Sequence, residues 1–251
     1  AVYAKRPWHA QAVQRFSTVS GEHTREALAV RQRWFHIIGT LGGKWPHTQS
    51  IVPGGSTRNL SATERYRLGA RVAEMRGFLE RVMLAAPLEE ALALDSQAAL
   101  QQWLSRAPGQ GDLRLFLEIA QDTGLELLGR GPDLTMSFGA FPNPAGGFAM
   151  APGVWDGTQL APLAIEQITE DACHAWLADH GTALPPAMGL TMPQTEKPDA
   201  YTWNKAPRLN GRVLETGALA RQLAAGHPLI RELWRNSGGN VMTRVLSRVL
   251  E

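Results

Sequence analysis

Residues Gly42-Gly43-Lys44-Trp45-Pro46-His47-Thr48-Gln49, followed by Val52-Pro53-Gly54-Gly55, decide how this chain is read. Two glycine pairs let the backbone take positive φ and approach another surface closely. Between them stand a cation, an indole, an imidazole and an amide. Loops that carry such side chains on rigid flanks are often functional. The same residues also suit a tight connection between two helices, and on composition alone both readings stand. The flanks read as helix. From Trp8 to Ile38 only Gly21 interrupts, and Leu28, Val30, Trp34, Phe35 and Ile38 recur near helical spacing. Beyond the loop, Ser61-Ala62-Thr63-Glu64 has the spacing of a capping box. Tyr66, Leu68, Val72, Met75, Phe78, Leu79 and Val82 then predict the buried stripe of a second long helix, which Pro87 ends.

Farther along, residues 88–94, 96–104 and 112–128 read as short helices. Residues 131–163 hold many Gly and Pro among Leu134, Met136, Phe138, Phe141, Phe148, Met150, Val154 and Trp155, the pattern of short strands and turns. Helix is expected again at Thr169–Ala178, with Thr169 as its cap and acids in its first turn. A Pro-rich extended segment follows over 181–200, then helix over 217–235 and 238–251. The expected fold class is α+β, mainly helical, a helical body with a small β insertion. One domain is expected over 1–251: helical over 1–130, the β insertion at about 131–165, helix and loop over 166–251.

Composition narrows the function classes. The chain has 251 residues, 44% hydrophobic and 19% charged, with a formal net charge of +2. That is enough to bury a sizeable core, and global disorder is not expected. No apolar run reaches the roughly 18–20 residues of a membrane helix. The first ten residues carry Lys5, Arg6 and His9 without an apolar core, so no signal peptide is expected. The single cysteine, Cys173, excludes an internal disulfide and any cysteine-rich metal site built from this chain alone. A reducing, cytoplasmic setting is the expectation. Lys and Arg are dispersed among Glu and Asp, without the dense basic runs of a nucleic-acid groove.

Three more segments stand out. In Ile168-Thr169-Glu170-Asp171-Ala172-Cys173-His174-Ala175-Trp176, Cys173 and His174 would point about 100° apart on a helix and chelate one metal poorly. In Tyr201-Thr202-Trp203-Asn204-Lys205-Ala206-Pro207-Arg208-Leu209-Asn210-Gly211, two cations flank a proline, and Asn210-Gly211 is a hairpin turn signal. Glu215, which follows, is in reach of pairing with Lys205 or Arg208, and Glu170 is a further partner for either. Last, Ser237-Gly238-Gly239-Asn240 opens a helix that carries Arg244 and Arg248 on one face.

In this order, the segments resemble the large subunit of nickel–iron (NiFe) hydrogenases. The resemblance lies in Gly-Gly-Lys-x-Pro-His-x-Gln with its Pro-Gly-Gly tail, in Ile-Thr-Glu-x-x-x-His-x-Trp, in Trp-x-Lys-Ala-Pro-Arg-x-x-Gly, and in Glu-x-Gly-x-Leu-Ala-Arg ending at Arg221. It runs from about Phe16 to Glu251. The Trp45-Pro46-His47-Thr48 variant is most similar to the hydrogen-sensing and uptake branch. The resemblance implies that family's fold and a nickel–iron centre held by two Cys-x-x-Cys pairs, one near each end of the subunit. This sequence contains neither pair, and Cys173 matches neither.

Two readings follow. In one, the chain is a cysteine-poor paralogue of the HupK/HoxV type, a non-catalytic scaffold on which a transient Fe(CN)2CO unit is assembled. In the other, it is the central part of a catalytic or sensing large subunit, and the nickel–iron centre's cysteines lie outside it. A purely structural interaction module is a third. The resemblance implies that Lys44, His47 and Gln49 face a partner or the metal cavity, and an imidazole such as His47 suits proton transfer there. It implies that Glu170, Lys205, Arg208, Glu215 and Arg221 position loops or stabilise an anionic iron unit. The partners implied are hydrogenase maturation proteins or hydrogenase subunits, with neither nucleic acid nor a membrane span.

Overall fold

The computed structural model describes residues 2–179 and 181–251. They sort into two compact units, 2–94 with 98–123, and 95–97 with 124–179 and 181–251.

The first unit is built on helices. α1 (His9–Phe16) ends at Ser17, where the backbone turns extended, and α2 (Glu22–Gly42) starts from extended Gly21. A two-stranded hairpin, β1 (Ile51–Val52) and β2 (Gly55–Ser56), leads to α3 (Ala62–Phe78). Ser61 Oγ accepts the Glu64 N–H, and the Glu64 carboxylate accepts the Ser61 N–H, so the expected capping box forms. The helix continues as a π-helical turn, Leu79–Leu84, closed by left-handed Ala85. α4 (Leu88–Leu92), α5 (Gln97–Arg106) and α6 (Asp112–Thr123) follow. Val30, Phe78 and Val82 form one buried cluster, with Met75, Leu79 and Met83 against it. Leu113, Leu117 and Ala120 are buried on one side of α6 and Leu115 on the other, so the helix is enclosed on both sides. Arg114 is buried among them; its guanidinium lies 3.5 Å from the Trp103 ring centroid and donates to the Trp103 and Leu84 carbonyls.

The α3 stripe is narrower than its sequence predicts. Phe78 and Val82 are buried, but Tyr66 is 79% exposed and Val72 is 53% exposed. At about 100° per residue, both lie roughly 120° around the helix from Phe78, beyond the edge of one packed face.

In the second unit, β3 (Thr135–Pro142) and β4 (Phe148–Trp155) form an antiparallel hairpin, with Thr135 opposite Trp155 and Pro142 opposite Phe148. β5 (Leu160–Ala161) adds to β4. The sheet packs Leu134, Met136 and Val154 against Ile168 and Leu209. The helical segment predicted over 217–235 is two helices, α7 (Ala218–Ala225) and α8 (Pro228–Ser237), because left-handed Gly226 ends the first and Pro228 starts the second. α9 (Val241–Leu250) starts from Asn240, which with Thr243 forms another reciprocal cap. Leu219, Leu223, Leu229, Ile230 and Leu246 are fully buried.

Thr169–Ala178 is not the expected helix. Ile168–Asp171 is strand β6, antiparallel to β7 (Ala206–Leu209), with Ile168 opposite Leu209 and Glu170 opposite Pro207. The acids that would favour a helix start are used otherwise. Asp171 Oδ1 accepts the Cys173 N–H at 2.8 Å, a local turn that competes with helix. Ile168 and Leu209 gain burial in the core only as a strand pair.

Candidate functional site

The glycine loop sits at the end of α2 in the first unit. Gly42 packs so tightly that a Cβ there would lie 2.6 Å from Thr48 Cγ2. Left-handed Gly43 ends the helix. The Gly42 carbonyl then accepts the Gln49 N–H at 2.8 Å and the Ser50 N–H at 3.2 Å, so the loop closes on the last helical residue. Ser50 and Ser56 hydroxyls both donate to the Leu41 carbonyl, at 2.8 and 2.6 Å, which fixes the β1–β2 hairpin against the helix end. Gly54, at φ +95°, supplies the positive φ that the Pro53-Gly54 turn requires. Trp45 stacks on Phe35 of α2, with ring centroids 4.8 Å apart. The base of the loop is therefore held, and its polar side chains are displayed. Lys44, His47 and Gln49 are all exposed and make no side-chain hydrogen bond or ion pair among the described residues. His47 sits at φ +62°.

In the second unit, the β6–β7 pair brings several of the other candidates together. Lys205, just before β7, places its Nζ 3.1 Å from Glu170 Oε2 of β6, a half-buried ion pair. Arg208 stands opposite Thr169; its Nη1 donates to the Pro207 carbonyl at 2.9 Å, and it has no carboxylate partner among the described residues. Its charge is one of those that hold the Asp171 carboxyl below its ordinary range, after the hydrogen bonds from Cys173. The Cys173 thiol is exposed and pushed up to about 11, first by its hydrogen bond to Asp171 and then by burial. Lys197 Nζ donates to the Ala172 and Leu177 carbonyls at 2.7 and 3.0 Å and lies 3.7 Å from Asp179, pinning the segment that follows β6.

Glu215 pairs with neither Lys205 nor Arg208. It takes two bonds from Arg244 of α9, Nε to Oε1 at 2.6 Å and Nη2 to Oε2 at 2.8 Å. Its backbone bonds to Leu134 and Met136 turn it toward the start of β3. Arg221 of α7 makes a two-bond pair with Glu251. Glu215 and Arg221 thus tie the second unit together, whereas Lys44, His47, Gln49 and Arg208 remain available.

The nickel–iron centre that the family resemblance implies is a four-thiolate site. This chain offers one thiol, held in its protonated form beside Asp171 and Asp179. Among the described residues, no group of three or more His, Cys, Asp or Glu is placed to hold a metal ion. The residues of this chain do not fit that centre. Sequence reasoning missed Phe35 and Arg31, which brace the loop; Arg31 lies 4.7 Å from the Phe35 ring centroid. Their i, i+4 spacing was the available signal.

Residues 2–237 match the family described as nickel-dependent hydrogenase. The chain is 26% identical over 220 residues to the periplasmic NiFeSe hydrogenase large subunit of Desulfomicrobium baculatum, covering 83% of this chain and 37% of that protein. It is 25% identical over 234 residues to the uptake hydrogenase large subunit of Rubrivivax gelatinosus, covering 80% and 34%. Among solved structures, the NiFeSe hydrogenase of Desulfovibrio vulgaris Hildenborough superposes with a TM-score of 0.68 at 25% identity, covering 92% of this chain and 46% of that one. The chain spans between a third and a half of the length of these relatives. With residues 2–237 matched by the family and the fold matched over 92% of its length, the chain belongs to the nickel-dependent hydrogenase family, as a large-subunit-like polypeptide.

Proposed function

We propose that this chain is a non-catalytic, hydrogenase large-subunit-like scaffold that works in the cytoplasm. On it an Fe(CN)2CO unit is held and passed on as cargo during assembly of a NiFe hydrogenase. The observation that carries the reading is the contrast between fold and donors. Over the third to half of the family's length that the chain spans, the fold and its glycine loop are present, yet the chain offers a single thiol, Cys173. A cyanide-bearing iron unit is anionic, and Arg208 is a cation without an ion-pair partner among the described residues. The glycine loop, with Lys44, His47 and Gln49 exposed, is the surface that meets a maturation protein or a hydrogenase subunit.

The similarity to large subunits named as hydrogenases favours a second reading, that the chain is the middle of such a subunit. The polypeptide isolated from its own host and sequenced to both ends separates the two. Ends without Cys-x-x-Cys pairs support the scaffold. A pair near each end overturns it in favour of the catalytic subunit.

A further inference from the structure

We propose that the face of α2 that runs into the glycine loop docks an acidic protein surface. The proposal rests on the scaffold reading in one respect, that the chain works against a partner protein; the chemistry of that partner is argued from charge and exposure. Residues 21–84 hold ten Lys and Arg against five Glu and no Asp, in a chain whose net charge is only +2. The rest of the molecule is therefore net negative, and the positive charge is concentrated on α2, the loop and α3.

All five of those glutamates are already engaged. Glu26, Glu64, Glu74 and Glu80 are in ion pairs, and Glu22 accepts from Gln14. Arg25, Arg31, Lys44, Arg65 and Arg67 are left exposed, with no carboxylate partner among the described residues. A partner's carboxylates would meet cations that no internal acid neutralises.

Apolar groups lie beside Arg25 and Arg31 on α2. At about 100° per residue, Arg25, Leu28, Arg31, Phe35 and Gly39 fall within an arc of roughly 120° on α2. Val30 is buried on the opposite side. Leu28 is 57% exposed and Trp45, stacked on Phe35, is 47% exposed. The stripe continues into a groove lined by Gly39, Thr40, Gly43, Arg58, Glu64, Arg67 and Leu68; Arg58 and Glu64 pair with each other there, which leaves Arg67 as its unpaired charge among the described residues. Exposed aliphatic and aromatic groups beside unpaired arginines are the composition of a protein-docking face. Complementary charge then sets the partner's sign and speeds the encounter.

The test uses the whole chain and a fluorescent helical peptide that carries Glu and Leu at i, i+4 spacing. Its comparators are the same peptide with Lys for Glu, and a short DNA duplex. The acidic peptide is expected to bind, and high salt to weaken it about tenfold or more. The double variant R25E/R31E is expected to weaken it at least about tenfold, and R25K/R31K to keep most of the affinity. Circular dichroism confirms that each variant is folded. Equal binding of the Lys peptide, or no loss in folded R25E/R31E, would overturn the proposal. Tighter binding of the duplex would also overturn it and mark a nucleic-acid surface. Acidic-peptide binding by a chain whose native ends carry cysteine pairs leaves the docking face standing while the scaffold falls.

Discussion

Trp45 lies stacked on Phe35, so the side chain that opens the loop after α2 is anchored to the helix that precedes it. The contact joins two links of the chain. It buries part of an indole, and it limits where Lys44 and His47 can move. Trp45→Ala is expected to cost about 1 kcal/mol of stability and to speed amide exchange across Lys44–Gln49 more than in α6. Hydrogen exchange read by mass spectrometry checks this. Equal change in both segments would mean that the stack does not hold the loop.

The cap of α3 carries its own acid sensitivity. Glu64 is held down to about 2, first by the Ser61 N–H and then by the Ser61 hydroxyl and Arg58. Its ordinary value is 4.5. Because the folded value is the lower one, the cap's contribution is complete above about 4.5 and is lost as pH falls toward about 2. The first turn of α3 is expected to fray in that window, and Glu64→Gln to remove the pH dependence there. Nuclear magnetic resonance of the Ser61 and Glu64 amides reads it directly.

Cys173 is exposed yet expected to be a slow nucleophile, because its thiol is pushed up to about 11 from an ordinary 9.0. The Asp171 hydrogen bond is the first cause, so Asp171→Asn lowers the thiol's value. At pH 8 iodoacetamide labelling is then expected to speed by about ten- to a hundredfold. Intact-mass kinetics measure it. Equal rates in the two proteins would remove Asp171 from the account of this thiol.

The Glu215–Arg244 pair ties α9 to the segment beside β3. Glu215→Gln keeps the shape and removes the charge, and it is expected to lower stability by about 1–3 kcal/mol. Lys205→Met, which breaks only the ion pair with Glu170, is expected to cost less, about 1 kcal/mol or under. Urea unfolding of the two variants ranks them, and the reverse order would contradict the roles given to these carboxylates.

What was legible in the sequence was mostly local. The Ser61–Glu64 cap, the break before α2 at Gly21 and strands with turns within 131–163 each depend on residues close in the chain, and each formed. The β6–β7 pair was not legible, because Ile168 and Leu209 meet across a Pro-rich stretch that carries no periodic signal. The local pattern Thr-Glu-Asp argued for a helix and lost to that burial. Nearness in sequence pointed Glu215 at Lys205 or Arg208. The turn at Asn210 and Gly211, both at positive φ, carries the chain instead toward β3, where Arg244 waits. The glycine loop was readable as a feature. Its bracing by Phe35 and Arg31 was not, since stacking depends on how the loop folds back on the helix.

The most direct test of the scaffold is an infrared spectrum and metal analysis of the protein purified from its own host. The expected result is bands of carbon monoxide and cyanide on iron, at less than one iron per chain and without nickel. Nickel and iron in equal amounts would contradict the scaffold and identify a catalytic subunit. The absence of both bands and iron would contradict it in favour of a structural partner.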